Sequence, residues 1–135
     1  MTTTYAGRHS GWVTFAGVMA SLAGVYNLLS GIAAIADDAR LSQYPGLANI
    51  DEVLYGVDLS TWGWFWAVIG GLQLLTAGLI LARNSIGQIL GIVFASISAM
   101  LTVFIMWIYP MWAVVVIALD MMIIHALTAH GEEFE

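Results

Sequence analysis

The sequence predicts an all-α membrane protein: one domain over residues 1–135, built as a bundle of four transmembrane helices. Three observations predict it. Hydrophobic residues make up 61% of the chain and charged residues 9%, where a soluble domain carries about 25% charged. Four apolar segments each reach the roughly 20 residues that a helix needs to cross a bilayer at about 1.5 Å per residue. Strands offer no alternative, because an open sheet leaves backbone groups unsatisfied in lipid and four segments are too few for a closed barrel.

The same composition excludes whole classes of function. So few charges cannot solvate a globule, which rules out a soluble enzyme. Three basic residues stand against nine acidic ones, for a formal net charge of −6, so no basic patch exists to grip nucleic acid or anionic lipid. There is no cysteine, which removes disulfides, thiolate metal sites and thiol redox chemistry.

The elements follow in order, over about 11–35, 61–81, 86–107 and 110–130. The first apolar run begins near Gly11 and stops at Asp37-Asp38-Ala39-Arg40. Ala34-Ile35-Ala36 resembles a signal cleavage site, but the run exceeds the usual 7–15 residues of a signal and contains Asn27, so it reads as a retained anchor. The second runs from Thr61 to Leu81 and ends before Arg83-Asn84. The third starts after Ser85, a suitable N-cap. Tyr109-Pro110 breaks it, and Pro110 suits the first turn of the fourth helix. The fourth ends near His130-Gly131.

Arginines set the expected orientation. Arg8 and Arg83 share one side, and Arg40 stands alone on the other, in an outer loop with Asp37, Asp38, Asp51, Glu52 and Asp58. The positive-inside rule then places both termini in the cytoplasm. That loop, roughly 24 residues, is long for so small a bundle. Within it Leu47, Ile50, Val53, Leu54 and Val57 fall at helical spacing, predicting a short amphipathic helix over the outer mouth.

Small residues predict how the helices are held, since hydrophobicity cannot drive association in lipid. Gly17, Gly24 and Gly31 recur every seven positions in span one. Gly63, Gly70 and Ala77 repeat that in span two, beside a second strip of Gly71 and Gly78. Gly87, Gly91, Ala95 and Ala99 recur every four in span three. These stripes serve packing within the bundle or docking of another subunit, the latter favouring Gly87 to Ala99. Trp62, Trp64, Trp66, Trp107 and Trp112 gather at the outer interface as an aromatic rim, with Trp12 at the inner one.

Candidate chemistry is sparse. Asp120 lies near the middle of span four, and Asn27 and Gln73 near the middles of spans one and two. The three share a depth and are expected to form a mid-membrane polar cluster. An intramembrane acid marks a proton-coupling or binding site by default; the structural alternative is a hydrogen-bond knot in which the carboxyl donates to Gln73 or Asn27. His125 stands about 140° round the helix from Asp120, so the two share no face. With Met121 and Met122 it is a weak metal candidate, more simply explained by packing. His9 and His130 sit at the cytoplasmic edge. No catalytic triad, glycine-rich phosphate loop or paired catalytic carboxylates occur, so neither enzyme activity nor a cofactor is expected. The echo of Gly24-x-x-Asn27-Leu28-Leu29-Ser30 in Gly70-x-x-Gln73-Leu74-Leu75-Thr76 is too short to establish an inverted repeat.

Several motifs carry a family resemblance over about residues 11–131. They are Gly11-Trp12-Val13-x-Phe15-Ala16-Gly17, Asp58-Leu59-Ser60-Thr61-Trp62-Gly63-Trp64, Tyr109-Pro110-x-Trp112, and Ala118-Leu119-Asp120 followed by His125-Ala126-Leu127-Thr128-Ala129-His130-Gly131. In these the chain resembles a group of small actinobacterial membrane proteins defined only as a domain of unknown function. The resemblance implies four membrane helices and an actinobacterial source, and it supplies no activity. The sequence departs from the pattern at His125, where the resemblance leads one to expect another residue, often an aromatic.

Three functions are compatible with these residues. The first is a non-catalytic accessory subunit that stabilises a larger membrane assembly of other chains. The second is a homo-oligomeric binder or transporter of a small hydrophobic or protonatable molecule, using Asn27, Gln73 and Asp120. The third and weakest is an oxidoreductase subunit using His125.

Overall fold

A computed structural model describes residues 11–41, 43 and 58–134. The elements among the described residues are all helical, with no strand: α1 (Gly11–Leu41), α2 (Leu59–Leu81), α3 (Ser85–Ile105), α4 (Pro110–Ala129) and a closing 3-10 turn, Gly131–Phe134. All four helices are long and apolar enough to cross a membrane. The expected amphipathic helix over 47–57, and the orienting Arg8, lie outside the described residues.

The ends differ from expectation in instructive ways. Charges end the apolar run of span one but not the helix, which continues six residues past Ile35 to Leu41. There Arg40 pairs with Asp37 one turn away at 3.5 Å, and Gln43 Nε2 donates to the Ala39 carbonyl, as a helix end in water requires. The second helix opens two residues early because Asp58 precedes it, accepting from the Trp62 amide at its carbonyl and from Thr61 Oγ1 at its carboxylate. The N-cap of α3 is Asn84, whose side chain accepts from the Ile86 amide, and not Ser85. The Ser85 hydroxyl donates instead to the carbonyl of Phe134 at 2.5 Å.

The chain forms two compact units, residues 21–75 and residues 1–20 with 76–135. In the first, α1 and α2 run antiparallel with their backbones in contact. A Cβ on Gly31 would lie 2.5 Å from the Gly63 carbonyl, and one on Gly70 would lie 2.7 Å from the Gly24 carbonyl. Gly24 likewise has the Leu74 amide 2.9 Å from where a side chain would start. Glycine is required at these positions because any larger residue must push one helix off the other.

The second unit holds the main core: Val13, Ala16, Ile80, Ala95, Ile123, Ala126, Leu127 and Phe134. It gathers the start of α1, the end of α2, and the paired α3 and α4. Gly87 fits against the Leu79–Ile80 backbone and Gly91 against the Leu127 and Ile80 side chains, while Gly17 abuts Leu81 and Ile80.

The turn between α2 and α3 carries Arg83 at φ 57. The Arg83 amide bonds to the Ile80 carbonyl and the Asn84 amide to the Leu79 carbonyl, both at 2.9 Å. This pair of bonds is the Schellman ending, whose left-handed residue is usually glycine. A side chain there costs about 1–2 kcal/mol, so a contact of the arginine offsets the strain: Arg83 forms an ion pair with Glu133 of the 3-10 turn.

Glycines one position apart should therefore respond oppositely. Gly70→Ala is expected to lose about 1–3 kcal/mol from overpacking. Gly71→Ala, whose Cβ meets nothing within 4 Å, should gain up to about 1 kcal/mol of helix propensity. Reversible unfolding in mixed micelles reads both; equal losses would contradict the close α1–α2 contact.

Candidate functional site

The polar residues singled out within the spans fall in both units. In the α1–α2 pair, Asn27 Nδ2 donates to Gln73 Oε1 at 2.6 Å. The bond sits inside the glycine contact, and the two helices meet reciprocally around it: Gly24 faces Leu74 and Gly70, while Gly70 faces Leu28 and Gly24. The short sequence echo thus falls on one symmetric antiparallel contact. Two amides that each need partners in lipid find them in one another.

Asp120 lies in the other unit, midway along α4, and is 8% exposed. Its hydrogen-bonding neighbour is Ser98 of α3, a residue the sequence gave no reason to single out. Its Oδ2 is buried without a partner. Buried polar atoms are nearly always satisfied, so this oxygen is the least satisfied point of the membrane interior described. Thr102, also buried, turns its hydroxyl back to the Ser98 carbonyl at 2.8 Å, which leaves Ser98 as the hydroxyl facing Asp120.

The remaining candidates have simpler surroundings. His125 is exposed, on a different face from Asp120, and its ring meets Trp12 edge-on at 5.9 Å. Met121 is 58% exposed. Among the described residues no group of three His, Cys, Asp or Glu comes together as a metal site would need. His130 Nδ1 sits 3.2 Å from the Ala126 carbonyl, and Gln88 Nε2 donates to the Leu127 carbonyl at 2.7 Å. These two side chains serve carbonyls that the last turn of α4 leaves without helical donors. Gln88 was visible in the sequence only as a lone amide in an apolar helix.

Most of the small-residue stripes are taken up inside the chain, whereas a Cβ on Gly71 or Gly78 of the second strip would meet nothing within 4 Å. Gly24 and Gly31 serve the α1–α2 pair, and Gly17, Gly87, Gly91 and Ala95 serve the core of the other unit, with Ala99 half-buried. What α3 turns outward is a broad apolar face that includes Ile89, Leu101 and Val103; within it Ile86, Leu90, Val93, Ile97, Met100 and Phe104, all exposed, fall at the alternating three- and four-residue spacing of a helix-pairing seam. Trp107 and Trp112 stand exposed at its end. In the α1–α2 unit Trp62, Phe65 and Trp66 form a compact ring cluster with centroids 5.7–5.9 Å apart, and Trp64 points away, exposed.

Four apolar spans define a small membrane protein of several crossings. More particularly, the chain belongs to the family described as a domain of unknown function, DUF7144, whose model matches residues 12–132. No curated protein and no solved structure matches it.

The Asn27–Gln73 bond is expected to be weak but real. A double-mutant cycle with Asn27→Leu and Gln73→Leu should give a coupling of about 0.6 kcal/mol, and no more than about 1.7. A coupling of zero would mean the amides bond elsewhere in the membrane.

Proposed function

We propose that this protein is a non-catalytic accessory subunit that stabilises a larger assembly in a bacterial cytoplasmic membrane. The observation that carries the reading is the outward seam of α3. Large, exposed apolar residues from Ile86 to Phe104 follow helix-pairing spacing, while the small residues of the same helix are spent internally. A partner helix would use that stripe, and Ile89, Leu101 and Val103 beside it widen the apolar face it would meet. The exposed aromatic residues at the end of the seam, Trp107 at 91% and Phe104 at 75%, suit a protein contact or the interfacial layer equally. Both termini are assigned to the cytoplasm, since Arg8 and Arg83 outnumber Arg40; pairing of Arg83 with Glu133 leaves this intact because acidic residues weigh little in that rule.

A second reading has its own observation. The unpartnered oxygen of Asp120 favours a homo-oligomeric binder or transporter of a small protonatable molecule.

Native mass spectrometry of the protein released gently from its own membranes tests the first reading. A reproducible complex with other chains is expected, and Asp120→Asn should leave its composition unchanged. A homo-oligomer that retains a bound small molecule, lost in Asp120→Asn, would overturn the subunit reading in favour of the second.

A further inference from the structure

The four residues after α4 do more than end a helix. A single 3-10 turn holds itself weakly; the Glu133 amide ties it to the His130 carbonyl at the end of α4 at 3.1 Å. Yet Gly131–Phe134 is fixed at three points. Phe134 is 3% exposed and is the one aromatic member of the core cluster described. Its carbonyl accepts from Ser85 Oγ at 2.5 Å. Glu133 pairs with Arg83, both side chains only about a fifth exposed, at 18% and 21%. All three attachments reach the turn between α2 and α3 or the core beneath it.

The position of Arg83 tells which attachment the fold is built around. Local backbone chemistry asks for glycine at the left-handed residue of a Schellman ending, and the chain places there a long side chain that reaches Glu133. The neighbouring Glu132 is exposed and makes no such pair among the described residues. We infer that residues 131–134 form a releasable strap across the α2–α3 turn, with the Arg83–Glu133 ion pair as its catch and Phe134 as the wedge it holds in the core. Breaking the catch frees the turn and uncovers the apolar slot that Phe134 fills, so this edge of the protein has a closed and an open form. Removing one charge of a mostly buried pair leaves the other uncompensated, so losing the catch opens the strap as losing the wedge does.

Limited trypsin digestion of the full chain in micelles reads the strap directly, because the protease must take an arginine side chain into its acidic pocket and Arg83 is held by Glu133. The sequence offers only Arg8, Arg40 and Arg83 as basic sites, so the first two serve as internal controls. Glu133→Gln and Phe134→Ala are each expected to speed cleavage after Arg83 on the order of tenfold, the effect of about 1.4 kcal/mol. Cleavage after Arg8 and Arg40 should keep its rate, and Glu132→Gln should behave as the unaltered protein. The strap is overturned if Glu133→Gln leaves cleavage after Arg83 unchanged. It is equally overturned if Glu132→Gln matches it, or if all three sites accelerate together, which would mean general loosening.

Discussion

In a bilayer, apolar side chains gain nothing by leaving lipid for one another, so helices stay together only where they touch more closely than lipid can. The α1–α2 pair meets this constraint in the most direct way, by bringing backbone against backbone at Gly24, Gly31, Gly63 and Gly70. Close approach multiplies dispersion contacts along the pair and lets two short amides, Asn27 and Gln73, reach each other at 2.6 Å. The rest of that unit follows from the contact: large residues are pushed outward, and the tryptophans collect beyond it.

The second unit solves the same problem with a different balance. Here glycines accept side chains rather than backbone, as Gly91 accepts Leu127 and Ile80, and the core is small and mostly aliphatic. Its polar groups are spent on loose backbone ends, as Gln88 is on the Leu127 carbonyl. Ser96, Thr102 and Thr128 return their hydroxyls to carbonyls of their own helices, a cheap way to satisfy a hydroxyl in lipid. Asp120 departs from this economy, since one oxygen stays unsatisfied. Ser98 of α3 is the neighbour that helps the carboxyl, and the second oxygen bears the desolvation cost.

The four spans were legible in the sequence because bilayer thickness fixes the length of an apolar run. The packing role of the small residues was legible because heptad and four-residue spacing each mark one side of a helix. What each side meets was not. Gly70 and Gly71 look alike in the sequence, and only the neighbouring helix decides that the first is indispensable and the second free. The N-cap slipped by one residue because Asn84 and Ser85 both suit the role, and a contact with Phe134, 49 positions away, claims the serine. The strap was missed for the same reason: Glu-Glu-Phe after a glycine resembles a helix trailing off, and nothing local tells that Phe134 belongs to the core. Ser98 opposite Asp120 is likewise a fact of helix pairing alone.

The account rests on the backbone contact of α1 with α2, from which the outward placement of the large apolar residues in that pair follows. Solid-state magnetic resonance of the protein in lipid bilayers, labelled at glycine and alanine, measures it most directly. The account predicts cross-peaks between Gly31 and both Gly63 and Ala67 at short mixing, as van der Waals contact requires. Their absence, with the α1 and α2 axes the roughly 8–10 Å apart of ordinary side-chain-spaced helices, would contradict it.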